Sequence, residues 1–188
     1  MRKTEKAVGL ALRANLPRYP LQNCTHDCFI FNVENAAVDG TFDLFLQCHA
    51  GGLWIELKCP RVPQKLDAPL FKNNHGISAA QIDFGRKVAR AGGRSMVLIC
   101  TEYAWIGVDG IDLSREFCDT ATFEQWLKIA VFDLPAPHSE TGFDNLYFGL
   151  MDFAKNGDTG LPFAFAPEAC EPPATPPAFL RKDAESGI

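Results

Sequence analysis

Two carboxylates and an amine lie close together in the segment 43–58, which is the most chemically informative part of the chain. Asp43 opens one apolar run, and Glu56 and Lys58 belong to a second apolar run 13 and 15 residues later. Alternation along a strand would place Trp54, Glu56 and Lys58 on one face. A buried acid or amine is costly unless it is paired or binds a ligand. We therefore expect a functional site here, although an isolated Glu-x-Lys pair is more often part of a solvent-facing strand.

These side chains suit the hydrolysis of a phosphodiester with the help of a divalent cation. Mg²⁺ prefers oxygen ligands and keeps several waters, so the carboxylates of Asp43 and Glu56 together with phosphate oxygens of the substrate would suffice to bind it. The backbone carbonyl of Leu57 would add a further ligand. The ion lowers the pKa of a bound water and stabilises charge on the phosphate. Lys58 would orient or deprotonate that water and remain near the phosphate as a point charge.

A strand–turn–strand unit is predicted to bring these residues together. Its strands would span 41–48 and 53–59, with Asp43 on the first strand and the turn at Ala50-Gly51-Gly52. Pairing of the two strands would then place Asp43 beside Glu56.

A well-defined helix start follows this unit, after a loop over 60–77 that contains three prolines. Ser78 is a favourable N-cap and Gln81 lies three residues later, which predicts a capping box. The helix would run to about Ala91 and end at Gly92-Gly93. Its core-facing residues are predicted to be Phe84, Val88 and Ala91. Gln81 has two interpretations, as a capping residue or as a residue of the site, and the sequence leaves both open.

The order of the predicted elements is typical of an α/β protein. The remaining elements are helices over 3–16 and 122–132 and strands over 29–34, 95–101 and 103–108. The order α-β-β-β-α-β-β predicts a mixed β-sheet flanked by helices. Residues 1–132 would form the core domain and 133–156 a packing segment with a short helix over 143–153. Residues 157–188 would be an irregular, extended tail, because they are rich in Pro and Ala.

The segment 43–58 resembles the motif of the PD-(D/E)XK nuclease superfamily, and the resemblance covers about residues 1–110. Val38-Asp39-Gly40-Thr41-Phe42-Asp43 stands where the family has its Pro-Asp element, with Phe42 in place of Pro. Ile55-Glu56-Leu57-Lys58 stands where the family has its (D/E)-x-K element. Ser78 to Gln81 and the apolar strand after Gly92-Gly93 are similar to the VRR-NUC and Holliday-junction-resolvase-like group.

This resemblance implies a restriction-endonuclease-like core and a role for each motif residue. Asp43 and Glu56 would be metal ligands, Lys58 the catalytic lysine, and Gln81 an active-site helper. Glu5 would be the additional acid that many members carry on the first helix. The implied cofactor is Mg²⁺, with Mn²⁺ as a substitute.

The net charge of −5 is unevenly distributed along the chain. Residues 54–95 contain eight basic and three acidic residues, whereas residues 101–188 contain five basic and 15 acidic residues. The basic stretch around the motif is suited to binding phosphates. The residues expected to bind nucleic acid are Arg61, Lys65, Arg86, Arg90 and Arg94. The alternative is that these are ordinary solvent-facing charges.

Composition narrows the class of protein. No segment approaches the ~20 consecutive apolar residues of a membrane span, so no membrane partner is expected. Seven cysteines, an odd number without framework spacing, indicate a reducing compartment such as the cytoplasm. Cys24-Thr-His26-Asp-Cys28 lacks the second pair of ligands that structural zinc requires.

The expected function is therefore that of a Mg²⁺-dependent nuclease, in the first instance an endonuclease acting on DNA, with RNA as an open alternative. A small nuclease without an attached domain is typical of phages and mobile elements, where it would cleave branched or host DNA in the bacterial cytoplasm. The resolvase-like resemblance implies a homodimer. The alternative from a different class is a catalytically silent binding protein whose acidic C-terminal half docks a host protein.

Overall fold

The computed structural model describes residues 4–15, 29–33, 40–48, 51–72, 76–136 and 141–156. The helices in these stretches are α1 (Glu5–Asn15), α2 (Ala79–Arg90), α3 (Arg115–Thr120), α4 (Phe123–Lys128) and α5 (Thr141–Asn156). The strands are β1 (Phe29–Asn32), β2 (Leu44–Cys48), β3 (Gly51–Lys58), β4 (Arg94–Cys100), β5 (Ala104–Asp109) and β6 (Phe132–Pro135). No helix within the described stretches is long and apolar enough to cross a membrane.

The strands form one open, mixed sheet in the order β1-β2-β3-β4-β5-β6. Neighbouring strands pair antiparallel except β3 and β4, which are parallel and connected through α2. Their register sets Leu53 opposite Arg94 and Lys58 opposite Ile99. The predicted α/β class, with a mixed sheet and flanking helices, is confirmed. The predicted order α-β-β-β-α-β-β is also confirmed for the elements from α1 to β5.

Each face of the sheet has its own apolar core. On one face, β3 contributes Leu53, Ile55 and Leu57, which pack with buried residues of α1 and α5. On the other face, side chains of β4 and β5 pack with buried residues of α2, α3 and α4. Because strand residues alternate, Glu56 and Lys58 project from β3 towards the second face, where α2 lies. The predicted alternation along this strand is confirmed.

Four aromatic side chains fix α2 against the β2–β3 hairpin. Phe84 of α2 contacts Phe42 and Trp54, with ring centroids 5.1 and 5.2 Å apart, and Trp54 contacts Phe45 at 4.8 Å. Such aromatic pairs contribute about 0.5–1.5 kcal/mol each beyond the burial of their surface. Phe42, which stands where the resembled motif has Pro, is therefore a packing residue of this cluster.

The hairpin differs from the prediction at two points. Asp43 lies in a bend directly before β2, which begins at Leu44, and so it is not on the strand itself. Gly51 and Gly52 belong to β3 rather than to a turn over 50–52, since they pair with β2. A Cβ atom on Gly52 would lie 2.6 Å from the Phe45 ring. This glycine thus permits close packing within the sheet.

The helix α2 follows its prediction except on its buried face. It begins after Ser78 with the predicted capping box, and Gly92 follows it with a φ of +79°. Ile82 and Gly85 are its buried residues, whereas Ala91 is exposed because it lies at the C-cap. The prediction that Ala91 faces the core was wrong.

The part of the chain after β5 departs most from the predicted pattern. The sequence did not predict α3 or β6. The predicted helix over 122–132 ends at Lys128, because the following residues enter β6 and Phe132 pairs with Gly107 of β5. The predicted helix over 143–153 is present and longer, as α5. Residues 157–188 lie outside the described residues, and the division into a core, a packing segment and a tail stays a prediction.

Gly40 brings the segment before Asp43 into direct contact with the first turn of α2. It has a φ of +81°, and a Cβ atom there would lie 2.3 Å from the backbone carbon of Ala80. Gly40→Ala should therefore lower the free energy of unfolding by about 2–4 kcal/mol, since left-handed strain adds to overpacking. Urea denaturation would measure this loss.

Gly92→Ala is the matched control for this prediction. Gly92 has nearly the same φ, +79°, but an added Cβ atom would meet nothing within 4 Å. It should cost only the left-handed strain, about 1–2 kcal/mol. Equal losses in the two variants would contradict the close approach of Gly40 to α2.

Candidate functional site

Glu56 is at the centre of a polar group between β3 and the start of α2. Its side chain is fully buried, with 0% exposed. Its Oε1 lies 2.6 Å from Lys58 Nζ and also accepts a hydrogen bond from Gln81 Nε2. The structure thus brings together three of the residues that the sequence singled out.

Asp43 reaches the same place because the β2–β3 ladder stops before the site. The last paired residues are Leu44 and Ile55, so the N–H of Leu57 lies beyond the end of β2. This N–H donates to Asp43 Oδ2 at 2.9 Å. The bond satisfies the N–H of Leu57, which has no paired residue of β2 opposite it. It also fixes the Asp43 carboxylate beside the strand that carries Glu56.

The second carboxylate oxygen of Glu56 has no partner among the described residues. Oε2 is buried and makes no hydrogen bond to any residue that the structure describes. An unsatisfied buried acceptor costs about 1–3 kcal/mol, and more when it is charged. A ligand that supplies positive charge at Oε2 would remove this cost.

The electrostatic environment is dominated by acids. Burial raises the pKa of Glu56 from its ordinary 4.5 to about 7, with Lys58 acting against the rise and Asp43 and Glu5 adding to it. Burial alone would lower the pKa of Lys58, but the attraction of Glu56, reinforced by Glu5 and Asp43, raises it. Lys58 is therefore protonated at neutral pH. Three acids around one amine favour an additional cation.

Glu5 approaches this group from α1, which packs against β3. It lies in the exposed first turn of that helix. A Cβ atom on Gly9, one turn further along, would lie 3.5 Å from Leu57 Cδ1. Glu5 is close enough to raise the pKa of both Glu56 and Lys58. The residue predicted as an additional acid therefore lies within electrostatic range of the site.

Gln81 makes contacts that fit both of the interpretations that the sequence left open. Its Oε1 accepts from the N–H of Ser78 at 2.8 Å, and its own N–H donates to Ser78 Oγ at 3.1 Å. These two bonds are the predicted capping box. Its Nε2 meanwhile donates to Glu56 Oε1. One side chain thus starts α2 and contacts the buried carboxylate.

Two of the basic residues predicted to bind nucleic acid lie in the loop after Lys58. Arg61 and Lys65 are both exposed there. The loop is anchored where the N–H of Leu70 donates to the carbonyl of Ala121 at 2.9 Å. These cations are therefore exposed to solvent on the loop that directly follows Lys58 in the chain.

The other basic residues lie further from the polar group. Arg94 begins β4 opposite Leu53, five strand residues before Lys58, which corresponds to about 16 Å along the sheet. Arg90 lies nine helical residues after Gln81, about 14 Å along α2. Arg86 donates through Nη2 to the carbonyl of Leu113 at 2.8 Å, so it has a structural contact. The structure does not bring Arg90 and Arg94 to Glu56.

Clusters of typical transition-metal ligands are absent from the part of the chain that the structure describes. No group of three or more His, Cys, Asp or Glu side chains in those stretches could hold a metal ion. Mg²⁺ needs only one or two carboxylates, with water and substrate oxygens completing its shell. The Cys24–His26–Cys28 cluster and all four histidines lie outside the described residues.

No protein-family model matches the sequence, and no curated protein matches it significantly.

Proposed function

We propose that this protein is a metal-dependent nuclease that hydrolyses phosphodiester bonds in DNA, built on a restriction-endonuclease-like core. The observation that carries the proposal is the buried Glu56, which lies beside Asp43 and Lys58 and has one oxygen without a partner among the described residues. Burying an acid in this way without a ligand is unfavourable, and the group has the residue types that phosphodiester hydrolysis needs.

The residues present fit a Mg²⁺ ion. Asp43 and Glu56 would be its ligands, joined by the carbonyl of Leu57. The N–H and C=O of a strand residue point to the same side, and the N–H of Leu57 points to Asp43. When bound, the ion would supply an activated water and stabilise charge on the phosphate. Mn²⁺ accepts the same oxygen ligands and would substitute.

Lys58 supplies positive charge at the reacting phosphate. Its raised pKa favours the protonated form, so it would donate hydrogen bonds to the attacking water or to a phosphate oxygen. This favours orientation of the water over its deprotonation by Lys58. The ion pair with Glu56 holds the amine in place before the substrate arrives.

The loop after Lys58 is the surface that would receive the DNA backbone. Arg61→Glu combined with Lys65→Glu should weaken DNA binding by about tenfold or more. It should also reduce the slope of log affinity against log salt concentration by the amount that corresponds to about two phosphate contacts. Fluorescence anisotropy at several salt concentrations would measure both quantities. Lys128→Glu, at an exposed position of α4, is the control and should leave binding unchanged.

Arg86→Glu combined with Arg90→Glu tests whether the DNA lies against α2 rather than against the loop. These residues lie along the helix away from Gln81, so their effect on DNA binding should be smaller than that of the loop pair. Stability should also fall, because Arg86 loses its bond to Leu113. If the α2 pair lowers the salt dependence and the loop pair does not, the DNA lies along α2 instead.

The direct test of the proposed activity is cleavage by the purified protein. Plasmid, linear and branched DNA would be incubated with Mg²⁺ or Mn²⁺, with and without EDTA. Cleavage that EDTA stops is the expected result. A protein that cleaves no DNA and no RNA would favour the alternative, a binding protein on a nuclease-like fold.

A further inference from the structure

We propose that Ser78 is a positioning residue for the metal site. Through the capping box, it would orient the Gln81 amide so that Glu56 offers a single oxygen, Oε2, to the cation. This inference rests on the proposed function, because it assumes that a divalent cation binds at Glu56.

The orientation of the Gln81 amide follows from its two contacts. An amide has an acceptor oxygen on one side and an NH₂ donor on the other. The N–H of Ser78 donates to Oε1 at 2.8 Å, which directs Nε2 away from Ser78 and towards Glu56. A reversed amide would set NH₂ against N–H at Ser78 and oxygen against oxygen at Glu56. The capping box thus selects one orientation.

The same contacts make the Glu56 carboxylate asymmetric. Lys58 Nζ and Gln81 Nε2 both donate to Oε1, whereas Oε2 has no partner among the described residues. Two donors on one oxygen fix the plane of a carboxylate better than one flexible lysine does. Oε2 is then fixed in position to bind a cation. Residues that hydrogen-bond to a metal ligand commonly orient it in this way.

A second capping box in the same chain allows the effect of helix capping to be distinguished from the positioning of Glu56. Thr122 and Gln125 at the start of α4 form the same pair of bonds, at 2.8 and 3.3 Å. Gln125 makes no bond to the polar group around Glu56 among the described residues. Capping alone therefore does not account for the contact that Gln81 makes with Glu56.

The test is the affinity for Mn²⁺, measured by isothermal titration on the full chain without DNA. Gln81→Leu should weaken binding by about tenfold or more, the usual effect of losing a partner behind a metal ligand. Ser78→Ala keeps the backbone N–H that donates to Gln81 Oε1 but loses the hydroxyl that accepts from the N–H of Gln81. Because this loosens the turn that holds Gln81 in place, it should weaken Mn²⁺ binding by about threefold to tenfold. Ser78→Thr keeps an N-cap hydroxyl and should stay within about twofold of the unmodified protein. Thr122→Ala and Gln125→Leu are the matched controls and should bind Mn²⁺ normally.

The melting temperature without metal is the second measurement. Ser78→Ala and Thr122→Ala should lower it by similar amounts, because each loses one cap. Only Ser78→Ala should also lose Mn²⁺ affinity, and this variant decides the question if Gln81→Leu does not fold.

Three results would overturn the inference, and they differ in what they imply. Normal Mn²⁺ affinity in both Ser78→Ala and Gln81→Leu would refute the positioning role and leave the proposed function intact. An unmodified protein that binds no Mn²⁺ would refute both together. Equal losses of affinity in Ser78→Ala and Thr122→Ala would show that the effect comes from general destabilisation, which also overturns it.

Discussion

Asp43→Ala and Glu56→Ala should each reduce Mg²⁺-dependent DNA cleavage by at least about 10³-fold, to the level of the metal-free reaction. Each change removes a proposed ligand, and Asp43→Ala also removes the acceptor for the N–H of Leu57. DNA binding should be nearly unchanged, because the exposed cations of the loop lie outside this group. Initial rates on supercoiled plasmid and anisotropy on the same DNA would measure the two effects separately.

An exposed carboxylate on another element is the control for this prediction. Glu124→Ala removes a solvent-facing acid of α4 that pairs with Lys128, and it should cleave at the normal rate. Cleavage by Asp43→Ala or Glu56→Ala as fast as by Glu124→Ala would mean that the two carboxylates do not bind the catalytic ion.

The second large effect is on stability without metal. The pKa of Glu56 is about 7 in the folded protein and 4.5 in its ordinary state, so the folded protein holds this proton more tightly. The stabilisation is complete below pH 4.5 and is lost as the pH rises through 7. The shift corresponds to about 3 kcal/mol. Glu56→Gln has no proton to lose, so its stability relative to the unmodified protein should rise by about 3 kcal/mol across that range.

Urea denaturation in EDTA at pH 4.5, 6 and 7.5 would measure this difference. Mg²⁺ should restore the lost stability of the unmodified protein at pH 7.5, because the ion binds the ionised carboxylate. It should stabilise Glu56→Gln less. A constant difference between the two proteins from pH 4.5 to 7.5 would mean that Glu56 ionises normally despite its burial.

Local patterns were enough to predict two features of the candidate site. Alternation along β3 placed Glu56 and Lys58 on one face, because strand periodicity does not depend on the rest of the fold. The Ser78 to Gln81 spacing predicted the start of α2 for a similar reason, since a capping box closes over four residues. Both features are determined by neighbours in the chain.

Features that depend on long-range pairing could not be predicted in this way. The contact between Asp43 and Leu57 exists because the β2–β3 ladder ends at Leu44, and that end point depends on how the two strands pair. The distance of Arg94 from the site follows from the parallel register of β3 and β4. Phe132 fitted a helical pattern, yet pairing with β5 overrode this local preference.

Lys58→Ala provides the most direct test of the proposed nuclease activity, because it separates metal binding from catalysis. Both proteins would be given supercoiled plasmid and Mg²⁺, with Mn²⁺ affinity measured on the same preparations. The unmodified protein should cleave, and EDTA should stop it. Lys58→Ala loses a hydrogen bond to Glu56 Oε1, but it also removes a positive charge that repels the cation, so Mn²⁺ affinity should remain similar. It should cleave at least about 10²-fold more slowly. Equal cleavage by the two proteins would contradict the proposal, because the activity would then not depend on this site.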